Sequence, residues 1–558
     1  MPLFRSSMST APIAVVGGGI AGLAASITLA SEGRRVVLIE SHSQLGGLCA
    51  FWKRRGYTID GCVHWMTGAA QDGMMGPRFH DLWHSLGVDT DAATRAGYTV
   101  FSPGDYPTHP EVEFGTDYRA TRAALKEQFP SDSALIDEYF EVAEAENTIS
   151  MPHVDESTYR YIRRVGLRKA LRMGKAFGNK SMLKEWGARA SDPRLARIML
   201  GLYADNVSQS FVPMTLGGLH DRSFAAYHPG AVGLVTGLQE RAVSLGVEVM
   251  THSAVEGMTL SAKRQVESLS VRVSRGQHRR EGEVTDLAVG GVVWCAPLPV
   301  LLSSLSDNGV KVPKVLKTCA HPVDPASVVA IYLCLETGRA RIEAALPGIR
   351  DNVMGYMTDA VPALPPLTPS VPVEYSPTCS VTCHSDGDRL PETAREDGCV
   401  LEVLVGVDPT AYMGVPGLKP GVAVGDVPSV TKQEYKAYKA AVGECLRGWL
   451  AEIVTSKTEA REGAQQVAEG LAPISIAVTD VVTPYTYGRY CATTQGMCLG
   501  NMGTRHHQHT TKPGCVKQIK NLSVGSTWTC GAGGLPIAAQ GGSQAAHHLH
   551  KKMGKTCC

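Results

Sequence analysis

Three glycines and one acid carry the clearest chemistry in this chain. Gly17, Gly19 and Gly22 stand in the spacing G-x-G-x-x-G, and Glu40 follows 18 residues after the last of them. Glycines so spaced can each do a job that a side chain would prevent: Gly17 a tight turn, Gly19 the approach of backbone to a pyrophosphate, Gly22 close packing of helix on strand. An anion there meets unpaired N–H groups and the positive end of a helix dipole. A carboxylate at Glu40 can accept hydrogen bonds from ribose hydroxyls and repels a 2′-phosphate, so the pattern favours FAD or NAD over NADP.

The flanking residues supply the elements that must hold this turn. Ile13 to Val16 is an apolar run suited to a buried strand, and Ile20, Leu23, Ala24, Ile27 and Leu29 recur at helical spacing. Gly33 stops that helix, and Val36 to Ile39 makes a second buried strand ending at Glu40. The fold class is therefore α/β, with a Rossmann-type nucleotide domain built on a parallel sheet.

Size and composition narrow the classes. The 558 residues suffice for several domains, the net charge is +1, and charged residues make up 19% of the chain, so nucleic acid is not an expected partner. No run of 18 apolar residues suggests a membrane span. Met1 to Thr10 lacks the apolar core of a secretory signal, and the 15 cysteines show no C-x-x-C spacing. An intracellular chain of mostly reduced thiols is expected. Cys379 and Cys383 lie in a Pro-rich loop and are not taken as a metal half-site, and the groups His506, His507 and His509 and His547, His548 and His550 are read as solvated loop residues, so no metal site is expected.

Beyond Glu40 comes a second glycine pair, Gly46-Gly47, which lets backbone pass close to the ribityl and pyrophosphate part of a long cofactor. The phrase Asp60-Gly61-Cys62-Val63-His64-Trp65-Met66-Thr67-Gly68 follows. In this order the motifs resemble the flavoprotein family of phytoene desaturases, carotenoid isomerases and retinol saturases, with Leu48 where an Arg often follows the Gly-Gly pair. The resemblance continues at Tyr227 to Gly233, at Ala254 to Met258, at Thr483-Pro484-Tyr485-Thr486-Tyr487-Gly488-Arg489-Tyr490, and from Asn521 to Pro536. It implies that distant pieces cradle one FAD: Gly17, Gly19, Gly22, Glu40, Gly46 and Gly47 near the start, Val255 beside the adenine, and Gly525, Gly534, Leu535 and Pro536 near the end. It also implies that a final helix, read as Ile537 to Leu549 with Pro536 at its first turn, points its N-terminus at the flavin.

These pieces set the expected domains: FAD-binding segments at 1–90, 221–300 and 476–558, the last with a basic tail ending in Cys557-Cys558, and an α+β substrate domain at 91–220 and 301–475. Strands are expected at Ser268 to Val273 and at Val284 to Val293, the latter at the edge of the FAD sheet. Val328 to Leu335 and Val400 to Val407 suit central strands of the substrate domain, while Val361 to Gly398 reads as an exposed, protease-sensitive insertion. Helices are expected at His80 to Leu86, Ser133 to Glu144 and Tyr159 to Gly174. The last is rich in Arg and reads first as a solvated face, with anionic lipid as the sharper alternative. The terminal Cys pair resembles prenylated small GTPases, but an unmodified tail is the reading taken.

A flavin accepts or donates hydride, so the expected activity is FAD-dependent desaturation, saturation or isomerisation of a C–C or C=C bond. The resemblance implies a hydrophobic substrate of isoprenoid, carotenoid or retinoid type. No second fingerprint follows the first, so electrons are expected to pass to or from a quinone, oxygen or a diffusible reductant. Candidates for acid, base or substrate contact are His64 and Asp60, by resemblance on the route toward the substrate, and Tyr487 and Arg489. A turn cap for Asp60 and a packing role for His64 are equally compatible. The alternatives are a flavin amine oxidase, disfavoured by only 6% aromatic residues, and a catalytically silent FAD-binding subunit.

Overall fold

The computed structural model describes residues 11–62, 65–71, 76–95, 97–101, 112–115, 117–147, 158–168, 170–171, 186–200, 211–220, 223–274, 282–320, 327–336, 342, 349, 353–358, 363–384, 398–418, 428–462, 474–498, 514–529 and 534–554. His64, His506 to His509 and Cys557-Cys558 lie outside them.

The strand Ile13–Val16, the helix Ile20–Ser31 and the strand Val36–Ile39 form as their pattern dictates. Both strands are buried along their whole length, as parallel strands covered on two faces must be. They lie inside a six-stranded sheet in the order Glu248–Met250, Val36–Ile39, Ile13–Val16, Gly291–Trp294, Leu522–Val524 and Gly514–Cys515, with only the last pairing antiparallel. Segments from the beginning, middle and end of the chain thus close one nucleotide-type sheet. The final helix, Leu535–Gly554, starts two residues earlier than its apolar pattern suggests and packs on the first helix. A Cβ on Gly542 would stand 1.9 Å from the Ala21 carbonyl oxygen, so only a glycine permits this crossing.

A seven-stranded sheet forms the second unit, ordered Ile476–Val482, Ser327–Leu335, Cys399–Val407, Tyr375–His384, Val353–Thr358, Gly97–Phe101 and Val112–Phe114. Its neighbouring strands pair antiparallel except Val353–Thr358 and Gly97–Phe101, which run parallel. Val329, Ile331, Leu333 and Leu335 join a core with Val442 and Leu446 of the helix Lys432–Glu462. Ala330, Tyr332 and Cys334 face the other way and pack on Tyr57 and Ile59 of the hairpin Phe51–Arg54 and Tyr57–Asp60. Through this hairpin the nucleotide half touches the sheet.

Four expectations are corrected. The run Val284 to Val293 is not one strand: Gly282–Ala288 ends an antiparallel three-stranded sheet, Val289-Gly290 turns, and Gly291–Trp294 enters the parallel sheet. That second strand is interior, flanked by Ile13–Val16 and Leu522–Val524, not at the edge. The stretch Val361 to Gly398 is not simply an exposed insertion, because Tyr375–His384 pairs with two strands and buries Cys379, Val381 and Cys383. The basic helix is not continuous: Thr158–Val165 is one helix, Gly166 at φ +87° breaks it, and helical residues resume at Leu167.

Candidate functional site

Packing alone explains two glycines of the first turn. Gly17 has φ +99°, and a Cβ there would meet the Ala296 backbone at 2.9 Å. A Cβ on Gly22 would lie 1.8 Å from the Gly17 carbonyl oxygen. Gly19 is different, for its nearest neighbours to a built Cβ are Gly46 O and Gly47 Cα, both at 3.7 Å. Nothing among the described residues requires a glycine at that point. The helix also starts there with no side-chain cap, leaving its first N–H groups for a ligand. A bare, uncrowded helix N-terminus fits a diphosphate.

Glu40 is fixed beside this turn. Its Oε2 accepts the Gly18 N–H at 2.7 Å, and its Oε1 accepts the His42 N–H at 2.6 Å. A carboxylate has about four acceptor positions, so capacity for ribose hydroxyls remains. The second glycine pair is pressed onto the first: the Gly46 N–H donates to Gly18 O at 2.8 Å, and Gly46 and Gly47 take φ +115° and +61°. Val255 is half-buried on the strand Ser253–Leu260, whose first N–H donates to Glu40 O at 2.8 Å.

At the far end, Gly525 follows the strand Leu522–Val524 and donates to Trp294 O at 3.0 Å. Its missing side chain admits the final helix, since a Cβ would lie 2.2 Å from Gly541 O. Gly534 takes φ +106° and is exposed, Leu535 is half-buried and Pro536 is buried at the start of that helix. The structure thus brings Gly17, Gly19, Gly22, Glu40, Gly46 and Gly47 directly together. Val255, Gly525, Gly534, Leu535 and Pro536 enter through neighbouring strands and the last helix.

The proposed catalytic set is less unified. Asp60 is 1% exposed, and both carboxylate oxygens accept backbone N–H groups: Oδ1 from Cys62 at 3.0 Å and Oδ2 from Ala231 at 2.6 Å. It caps the helix Gly230–Ser244 from outside that helix's own sequence. Arg489 is exposed, its guanidinium 5.5 Å from the Tyr490 ring. Tyr487 is half-buried on the helix Pro484–Cys491, and burial raises its phenol well above the ordinary value.

Residues with no motif around them complete this region. Glu402 is 1% exposed on the inner sheet face, opposite Tyr332 in register, and lies 3.4 Å from His384 Nε2. Burial pushes the Tyr332 phenol up, and the Glu402 charge adds to it. The visible signal for Glu402 was a lone acid within the apolar run Cys399 to Val407. Next to Tyr487, the thiol of Cys491 donates to Gly47 O at 3.3 Å, tying this helix to the second glycine pair. The loop beyond it holds Ala492 at φ +53° and Gln495 at φ +51°.

The histidines of the last helix also differ from expectation. They are helical, not in a loop, and have an acidic partner: Glu32 lies 2.6 Å from His547 Nδ1 and 3.1 Å from His550 Nδ1. No group able to hold a metal occurs among the described residues.

Residues 15–83 match the family model described as an NAD(P)-binding Rossmann-like domain. All-trans-retinol 13,14-reductase of Rattus norvegicus is 22% identical over 418 residues, 71% of this chain and 65% of that protein. The alignment to its Homo sapiens counterpart spans 23% of that protein's length at 28% identity. A 4,4′-diapophytoene desaturase of Staphylococcus haemolyticus is 46% identical over 48 residues, 9% of this chain and 10% of the other. Among solved structures, cyclohexylamine oxidase of Brevibacterium oxydans superposes with a TM-score of 0.52, covering 98% of this chain and all of its own at 11% identity. At that identity the likeness is one of fold: a Rossmann-type dinucleotide-binding unit joined to an antiparallel-sheet unit.

Proposed function

We propose that this chain is an FAD-dependent oxidoreductase that desaturates, saturates or isomerises a carbon–carbon bond in a hydrophobic substrate of isoprenoid, carotenoid or retinoid type. The observation that carries the reading is Gly19, an uncapped and uncrowded helix N-terminus against which the second glycine pair closes. The substrate class follows the relatives named as a retinol reductase and a diapophytoene desaturase. Gly17, Gly19 and Gly22 would hold the diphosphate, Glu40 the adenosine ribose, Gly46-Gly47 the middle of the cofactor, Val255 the adenine, and the Leu535 end of the last helix the flavin side. When bound, the flavin supplies hydride exchange with the substrate.

The chain's own residues exclude water and manage protons. Tyr332, packed edge-on against Trp52 at 5.2 Å, and Tyr487 form an aromatic wall on the inner sheet face. Raised phenols keep their protons at neutral pH, so Tyr487 suits a donor and not a base. Asp60, with both oxygens on backbone N–H groups, positions the hairpin and helix around the site. His64 and Arg489 remain proposed substrate-side contacts.

Electrons would pass to or from a quinone, oxygen or a diffusible reductant. Substrate would be met at a membrane surface: Tyr159, Leu167 and Leu171 are 73%, 59% and 64% exposed beside Arg160, Arg163, Arg164 and Arg168. No helix among the described residues is long and apolar enough to cross a membrane. The test is spectroscopic and chemical. Purified protein should carry a flavin spectrum, bleach on anaerobic photoreduction, recover on adding quinone, and convert a polyene to a product two mass units lighter or heavier, or to an isomer. Protein that binds no flavin refutes the proposal, and flavin that no acceptor reoxidises favours a silent subunit. Sedimentation with anionic but not neutral vesicles tests the membrane surface.

A further inference from the structure

The loop Cys491–Met497 is both strained and short of hydrogen bonds. Ala492 and Gln495 both occupy the left-handed region, which side chains rarely adopt unless surrounding structure holds them there. Thr493 is 1% exposed, and its hydroxyl has no hydrogen-bond partner among the described residues. Among the same described residues the buried side-chain oxygen of Gln495 has no partner either. Buried polar atoms are nearly always paired, so an orphan pair on one strained loop needs a cause.

The position of the loop supplies one. Its start is tied to the second glycine pair by the bond from Cys491 to Gly47 O, and its end by the Ser327 hydroxyl donating to Gly496 O at 2.8 Å. Met497 then enters the core shared by Trp294 and Val524. The loop therefore runs from the glycine turns to the carboxyl ends of the parallel strands Gly291–Trp294 and Leu522–Val524, crossing the crevice where such sheets receive ligands.

We propose that this loop is a clasp completed by the ligand, with Thr493 Oγ1 and Gln495 Oε1 receiving hydrogen-bond donors from the molecule bound over the glycine turns. The Gln495 oxygen can only accept, so the ligand class is one with an O–H or imide N–H group; a pure hydrocarbon leaves the loop unsatisfied. Two sources fit, the flavin dinucleotide and the hydroxyl end of a polyene alcohol. The clasp rests on the flavoenzyme reading for the identity of what it holds.

The experiment compares full-length wild type with Thr493→Val, Thr493→Ser and Gln495→Leu. Thermal midpoints are measured without added ligand, and dissociation constants by fluorescence for FAD, all-trans-retinol and the corresponding hydrocarbon without the hydroxyl. Ligand-free Thr493→Val should melt no lower than wild type, because a methyl replaces an unpaired hydroxyl. Thr493→Val and Gln495→Leu should each bind one donor ligand about tenfold more weakly, with hydrocarbon binding unchanged and Thr493→Ser like wild type. Weakening confined to FAD assigns the clasp to the cofactor, and weakening confined to retinol assigns it to the substrate's polar end. Thr493→Val melting several degrees lower, Thr493→Ser behaving like Thr493→Val, or unchanged affinities in all variants overturns the clasp and leaves the flavoenzyme reading standing. Wild type that binds no flavin overturns both.

Discussion

Replacing Asp60 separates a structural from a catalytic carboxylate. In Asp60→Ala the N–H groups of Cys62 and Ala231 lose the acceptors they now have at 3.0 and 2.6 Å. A hydrogen bond to a charged group contributes about 1.5–3 kcal/mol, so removing both should cost about 4 kcal/mol, including the cap on the helix Gly230–Ser244. Asp60→Asn retains one oxygen able to accept, and its cost should be about 2 kcal/mol. Urea unfolding followed by tryptophan fluorescence reads the difference, because Trp52 stands on the hairpin that Asp60 closes. Flavin content measured in parallel should fall in the same order, Ala below Asn below wild type. The reasoning fails if both variants unfold at the wild-type midpoint. Should they also retain flavin while losing turnover, Asp60 would be acting on the substrate.

Gly22→Ala places its methyl 1.8 Å from a backbone oxygen that cannot step aside, so the protein should lose flavin on gel filtration; Gly33→Ala, at φ +77° with open space around it, should retain flavin and cost about 1 kcal/mol by thermal melting. A hydrogen bond with Cys62 and burial hold the Cys49 thiol well above its ordinary range, while burial raises Cys379 and Cys498 to about 12. These three should resist iodoacetamide in the native protein at pH 8 and react after denaturation, as mass spectrometry of the digested protein will show. Because the folded values of Cys379 and Cys498 exceed the ordinary thiol value of 9.0, the stability these two contribute is complete below that pH and lost as pH rises toward about 12, a fall that melting curves between pH 8 and 11 will detect. Glu402→Ala removes the carboxylate that lies 3.4 Å from Nε2 of the buried His384 and should cost about 2 kcal/mol as a lost buried hydrogen bond, part of it recovered in the double variant Glu402→Leu with His384→Leu.

The nucleotide unit was legible because its signals are local. Ile13 to Val16, the glycine turn, the helix and Val36 to Ile39 follow one another without interruption, and each signal sits within a few residues of the element it defines. The join of Gly282–Ala288 to Gly291–Trp294 was not legible. Both sides read as one β-branched run, and only the partners, one antiparallel and one parallel, show that the chain changes sheets at Val289-Gly290. Composition also hid Tyr375–His384: Ser, Thr and Pro lower its apparent apolarity, while its inward Cys379, Val381 and Cys383 are what the core uses. The expected end of the basic helix missed Gly166 because the positive residues continue past it.

The same contrast separates the two halves of the site. A glycine at positive φ announces itself, so Gly17 and Gly46 could be assigned from residue type. Ala492 and Gln495 adopt a comparable backbone without any residue-type signature, because ordinary side chains are held there by tertiary contacts. Those contacts come from distant parts of the sequence: Gly47 holds Cys491 and Ser327 holds Gly496. A loop anchored to both units can sense how they are joined, whereas the glycine turn, anchored within one, cannot. Binding strength for the diphosphate should therefore survive changes in the antiparallel sheet, while any affinity gained at Thr493 and Gln495 should fall when Ser327→Ala releases the far anchor.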